Sequence, residues 1–141
     1  MSGRQTTPGD VELVGGRTYA GRVYTGSPFS MTSAPVVSAG AAVVGFAHYC
    51  HSGAETGEQC GHVATDTNAQ ICTASGCKWP VIRFTGGLMP LPGDSGAPFY
   101  AKDAAGGAWI RGHVIAGAAG IGYVMPWTKV ASTYGVTIVT G

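Results

Sequence analysis

Hydrophobic and polar positions alternate in short runs along the chain, and glycine-rich turns separate them. Val11 to Val14 follows the turn Pro8-Gly9-Asp10 and reads as a strand. Arg17 to Thr25 alternates, with Tyr19, Gly21 and Val23 on one side and Thr18, Ala20, Arg22 and Tyr24 on the other. Pro35 to Val37, Ala42 to Tyr49, Gly61 to Thr65, Pro80 to Phe84, Pro98 to Ala101, Ala108 to Ala116, Gly122 to Met125 and Val136 to Val139 complete the predicted strands. Asp103 to Gly107 reads as a hairpin loop between two of them. Trp127, Val130 and Tyr134 share one face of a helix, and Gly135 stands where a C-terminal cap belongs. Many short strands with turn signals between them predict an antiparallel barrel or sandwich.

Composition sharpens this reading. The length, 141 residues, fits one domain. Glycine accounts for 24 residues, which excludes a helical bundle, because glycine costs about 1 kcal/mol at each helix-interior site. Lys+Arg number 8 against 7 for Asp+Glu, so the basic excess that nucleic acid or an anionic membrane requires is missing. The longest weakly polar stretch, Ala34 to Ala47, is interrupted by Pro35, Ser38, Gly40 and Gly45, and Met1 to Thr7 lacks the apolar core of a signal peptide. Four cysteines in a glycine-rich, weakly charged chain point to an oxidising compartment, and they allow three pairings.

The string Pro92 to Phe99, PGDSGAPF, carries the strongest chemical signal. Gly93 and Gly96 permit a tight turn that aims the N–H groups of Gly93 and Ser95 at one point and leaves the Ser95 hydroxyl exposed at the tip. Asp94 is placed to hold that loop through an internal ion pair. The same string also fits a plain glycine-rich β-turn.

Residues 92 to 99 resemble the nucleophile loop of chymotrypsin-like serine peptidases. More of the chain is similar to the bacterial streptogrisin and α-lytic branch. Tyr49 to Val63, YCHSGAETGEQCGHV, resembles its disulfide-closed hairpin; Asp10 to Val14 resembles the catalytic aspartate and the strand after it; Tyr134 to Val139 resembles the last strand. The resemblance implies an all-β fold: a six-stranded antiparallel β-barrel with a short C-terminal helix over residues 10–141, preceded by an extension at 1–9. It implies Ser95 as nucleophile, Asp10 as the orienter of a histidine, and an oxyanion hole from Gly93 and Ser95. Short separation and the hairpin resemblance imply the disulfides Cys50–Cys60 and Cys72–Cys77; a loop of about ten residues closed this way contributes about 2–3 kcal/mol. The competing ligand set for zinc, His48, Cys50, His51, Cys60 and His62, lacks the paired spacing of a structural site, and strand alternation sends Cys50 and His51 to opposite faces. No metal or other cofactor is expected.

The family's order is His, Asp, Ser, and no histidine precedes Asp10. The chain therefore reads as the C-terminal part of such a peptidase, with most of the N-terminal barrel missing. His48, His51, His62 and His113 fall on no catalytic position and read as surface or strand histidines. Ile115 stands where the family places a serine that supports the aspartate. Leu88 to Pro92, Ile115 to Ala118 and Gly122 to Val124 would wall the primary pocket, with Met89, Ile115, Ala116 and Gly117 as its main residues. None of these segments carries an acid, which predicts an apolar cleavage-site residue over Lys or Arg. Trp79, Trp109 and Trp127 read as core and edge packing; Asp66 and Asp103 are given no catalytic role.

The expected function is peptide-bond hydrolysis by a secreted serine endopeptidase, with a peptide or protein substrate and no nucleic-acid or membrane partner. This chain alone would be nearly inactive for want of the base, and it would pair with an N-terminal barrel segment or self-associate through the bared face. The alternative is a non-catalytic module that binds a peptide or protein.

Overall fold

The computed structural model describes residues 2–6, 11–15, 22–28, 32–74 and 76–135. Ten strands precede one helix: β1 (Ser2–Thr6), β2 (Val11–Gly15), β3 (Arg22–Tyr24), β4 (Ser33–Ala39), β5 (Tyr49–Gly53), β6 (Gly57–Thr73), β7 (Gly76–Thr85), β8 (Pro98–Lys102), β9 (Ala108–Ala118), β10 (Ile121–Pro126) and α1 (Trp127–Tyr134). β1 and β2 form an antiparallel pair. The larger sheet runs β10-β7-β6-β5-β8-β9-β4-β3, and β10 also pairs with β9, so that the first six close on themselves. These six strands therefore close into a ring of antiparallel neighbours, the arrangement expected of a trypsin-like barrel.

Alternation along the strands explains the packing. Phe99 and Tyr100 are adjacent on β8, both fully buried, and point into different clusters. Tyr49, Ala64, Ile82, Phe84, Phe99 and Val124 meet in one cluster to which β5, β6, β7, β8 and β10 all contribute, as the filling of a small barrel should. Val81 and Met125 alternate to the other face and pack on Val130 of α1. Tyr100 joins Val23, Val36 and Ile110 beneath β3 and β4. The helix ends as its sequence predicts, with Gly135 at φ 62° donating its N–H to Ala131.

Several expectations need correction. The apolar run from Ala42 is no strand: residues 44–45 turn, Gly45 takes φ +91°, and only Tyr49 belongs to β5. Val43, Val44 and Phe46 are consequently exposed. β4, outside the ring, runs parallel to β9, a pairing that the mainly antiparallel expectation did not locate. Trp79 is 60% exposed, so it does not pack in the core. Trp127 packs on the cluster around Val81 and Met125, and Trp109 donates its ring N–H to Asp103. Asp103 also accepts from the N–H groups of Ala105 and Gly107, which makes it the organiser of the predicted 103–107 hairpin loop. The strand at Val136 to Val139, the first half of Arg17 to Thr25 and Asp10 lie outside the described residues.

Both disulfides form as the resemblance implied, Cys50–Cys60 and Cys72–Cys77. No helix among the described residues is long and apolar enough to cross a membrane.

Phe84 is fully buried against Phe99 and His62, and its ring lies over Gly122. Phe84→Ala should lower unfolding stability by about 3–5 kcal/mol, read from urea denaturation with the slope unchanged.

Candidate active site

The segment between β7 and β8 carries PGDSGAP. Gly93 takes φ 100° and Gly96 φ 88°, a backbone region that disfavours any side chain, so two glycines are what this turn demands. Gly96 donates to the carbonyl of Val114 at 2.7 Å and Val114 donates back to Ala97 at 2.8 Å, which ties the turn to β9. Ser95 is exposed, and among the described residues its hydroxyl reaches only the carbonyl of Ile115, at 3.4 Å. The N–H groups of Asp94, Gly96 and Ala97 are engaged within the protein. Those of Gly93 and Ser95 donate to no acceptor among the described residues.

Asp94 anchors the turn from below. Its carboxylate is almost wholly buried and accepts from the N–H groups of Leu91 (2.9 Å), Glu55 (2.9 Å) and Thr56 (3.2 Å), and from the Thr56 hydroxyl (2.8 Å). The loop is thus clamped to the β5–β6 turn. Gly53 is required beside it, because a Cβ there would overlap the carboxylate. Burial would push the Asp94 carboxyl up, but the hydrogen bonds from Leu91, Glu55 and Thr56 outweigh it and hold the group below its ordinary value.

The expected internal ion pair is indirect. His51 Nε2 lies 4.0 Å from Asp94 Oδ2, and the Thr56 hydroxyl bridges them, 2.8 Å from the imidazole nitrogen. His51 Nδ1 meets His62 Nε2 at 2.8 Å, and His62 Nδ1 donates to the Gly86 carbonyl at 2.6 Å. Both imidazoles are fully buried. Burial pushes His51 down to about 4, with His62 acting in the same direction and Asp94 opposing. Burial also lowers His62, against the pull of the Gly86 and Gln59 carbonyls.

The pair does lie on strands, as expected, but its burial and its connection to the Ser95 loop were missed. The available signal was period-two alternation: Tyr49 and His51 share a strand face, and so do His62 and Ala64. His48 is exposed beside Phe46, and His113 sits on β9. No histidine among the described residues hydrogen-bonds to Ser95. The zinc ligand set is broken up, since Cys50 and Cys60 are joined to each other.

The residues expected to wall the pocket fall in different packing clusters. Met89 packs against the cluster around Phe84 and Phe99, while Ile115 is buried against Met125 and Val130. Pro90 is buried, and a Cβ built on Gly117 would sit 3.0 Å from its Cδ and 3.1 Å from its carbonyl oxygen. Pro90 and Gly117 are thus in close contact, with no room for a side chain at position 117.

Comparison with known proteins places this geometry. The chain matches the Cellulomonas bogoriensis chymotrypsin structure at TM-score 0.77 and 26% identity, covering 96% of this chain and 73% of that one. The chain has the fold of the bacterial chymotrypsin-like serine proteases. Thermobifida fusca Protease A gives TM-score 0.74 at 24% identity, with 92% of this chain and 66% of that chain covered. A glutamic acid specific serine protease, described as using a histidine triad in substrate binding, gives 0.69 at 27% identity, with 87% and 62% covered. No family model matches the chain, nor does any curated protein.

The buried groups predict a two-stage acid response. Unfolded histidine binds its proton near 6.5 and buried His51 only near 4, so the unfolded chain gains protons first and stability falls as pH drops from 6.5 to 4. The stability that Asp94 contributes is present above 3.8 and is lost as pH falls through its lower folded value. Urea unfolding across this range should show both limbs, and Asp94→Asn should remove the lower one.

Proposed function

We propose that the chain is the nucleophile-bearing part of a serine endopeptidase. The observation that carries this reading is the Ser95 turn: an exposed hydroxyl beside two unengaged N–H groups, on a loop fixed by a buried carboxylate, in a fold shared with serine proteases. Ser95 attacks the peptide carbonyl, the N–H groups of Gly93 and Ser95 receive the developing oxyanion, and water later releases the acyl group. The base is a histidine other than His48, His51, His62 and His113, none of which hydrogen-bonds to Ser95 among the described residues, and Asp10 orients it. The contact of Pro90 with Gly117 narrows the expected apolar preference to small apolar residues at the cleavage site. Two disulfides suit an oxidising, extracellular setting, and a separate N-terminal barrel segment or a second copy would cover the bared face.

The close contact of Pro90 with Gly117 and the apolar Ile115 favour a second reading, a peptidase-like module that binds a peptide or protein without cleaving it. A fluorophosphonate probe and an alanine-anilide peptide separate the two. The chain alone should turn over the anilide at least about a thousandfold below a complete triad, and Ser95 should acylate only when a histidine-bearing N-terminal segment is added. Ser95→Ala should abolish both signals. Absence of labelling with that segment folded and bound would leave the binding module. A second expected outcome concerns that contact: in the complemented enzyme, Pro90→Ala should shift preference from alanine toward larger apolar residues.

A further inference from the structure

Four hydrogen bonds connect the Gly86 carbonyl to Asp94: Gly86 to His62, His62 to His51, His51 to Thr56, and Thr56 to Asp94. Each link needs one hydrogen. Neutral His62 supplies one, and it must sit on Nδ1, because a carbonyl only accepts. His62 Nε2 is then an acceptor, so neutral His51 places its single hydrogen on Nδ1. His51 Nε2 is left as a lone pair facing Thr56. The Thr56 hydroxyl has one hydrogen and two close acceptors, His51 Nε2 at 2.8 Å and Asp94 Oδ2 at 2.8 Å, with the Gly57 carbonyl at 3.5 Å. Three hydrogens therefore serve four links while both imidazoles are neutral.

We propose that His51 and His62 are positioning residues for the Ser95 turn, and that uptake of one proton by this pair commits the Thr56 hydroxyl to Asp94 and tightens the turn. The proton comes from solvent and resides on His51 Nε2. That nitrogen then donates to Thr56, Thr56 donates to Asp94, and the imidazolium stands 4.0 Å from the carboxylate as its counter-charge. In the neutral state the hydroxyl is divided between His51 and Asp94, so Asp94 holds its fourth donor only part of the time.

The groups facing the pair are few. Asp94 approaches from the 91–96 loop, where Leu91, Glu55 and Thr56 keep it ionised, so the added proton goes to an imidazole. The Gly86 and Gln59 carbonyls face His62, and Phe84 and Phe99 contribute uncharged rings. The Glu55 side chain lies against Gly93, and Glu58 is turned toward Tyr100 and Lys102. The inference uses the peptidase reading only for its consequence for turnover. The hydrogen-bond chain is present whether or not Ser95 reacts.

The test is nuclear magnetic resonance of the full chain, labelled with nitrogen-15, from about pH 7.5 down to pH 3.8, a span that crosses the lowered His51 midpoint of about 4 and stops above the Asp94 transition. Ring nitrogens of His51 and His62 report tautomer and protonation. Amides of Leu91, Glu55 and Ser95 report the turn. The expected result is that these amides shift, and exchange more slowly with solvent, with the midpoint of the rings. In Thr56→Val the rings still titrate and the Leu91 and Ser95 amides no longer follow; Thr56→Ser restores the coupling. Amides that ignore the ring midpoint in the unmodified chain overturn the proposal by themselves, even if Thr56→Val does not fold. Amides that follow it equally in Thr56→Val overturn the role of the hydroxyl. Loss of probe labelling with this coupling intact would count against the peptidase reading alone.

Discussion

The buried carboxylate of Asp94 is the constraint on which the site depends. A charge removed from water in this way is tolerated only when its oxygens are fully engaged. Here three backbone N–H groups and one hydroxyl do so, and they come from both the Ser95 loop and the β5–β6 turn. One side chain thereby fixes the relative position of two loops far apart in sequence. Glycine is needed at two places beside it: Gly53 leaves room for the carboxylate, and Gly93 leaves room for Glu55.

The disulfide and the barrel serve the same end. Cys50–Cys60 closes the hairpin whose turn supplies Glu55 and Thr56, so the donors to Asp94 are held before the loop arrives. β5 pairs with β6 on one side and with β8 on the other, and β8 begins directly after the Ser95 loop. The ring thus delivers both halves of the clamp from adjoining strands. Closure of β10 on β9 then packs Ile115 and Ala116 against Met125 of β10 and Val130 of α1.

Much of this was legible in the sequence, for local reasons. Gly93 and Gly96 announce a turn, Gly135 announces a helix end, and Cys50 and Cys60 bracket a hairpin, because each depends on neighbours a few residues away. What escaped was non-local or dependent on a single backbone angle. The Ala42 to Tyr49 run has strand composition, yet Gly45 turns the chain and exposes Val43, Val44 and Phe46. The parallel pairing of β4 with β9 joins segments about seventy residues apart, and alternation within either strand says nothing of direction. His51 and His62 fall eleven positions apart across a hairpin with a register shift, so their contact follows from pairing, not from spacing.

The distinction between local and non-local also separates the two halves of the proposed chemistry. The nucleophile and its oxyanion donors lie within three consecutive residues, and the turn that shapes them is held by Asp94. They survive as a unit wherever that loop folds. A general base must instead be brought within hydrogen-bond reach of the Ser95 hydroxyl by a different part of the fold. Ser95 now spends its hydroxyl on the Ile115 carbonyl at 3.4 Å, a long and weak contact that a better acceptor would displace. On the proposed reading, a site so arranged would have its electrostatic half assembled and its proton-transfer half open. Docking of a histidine against Ser95 is then the step that converts a shaped turn into a nucleophile.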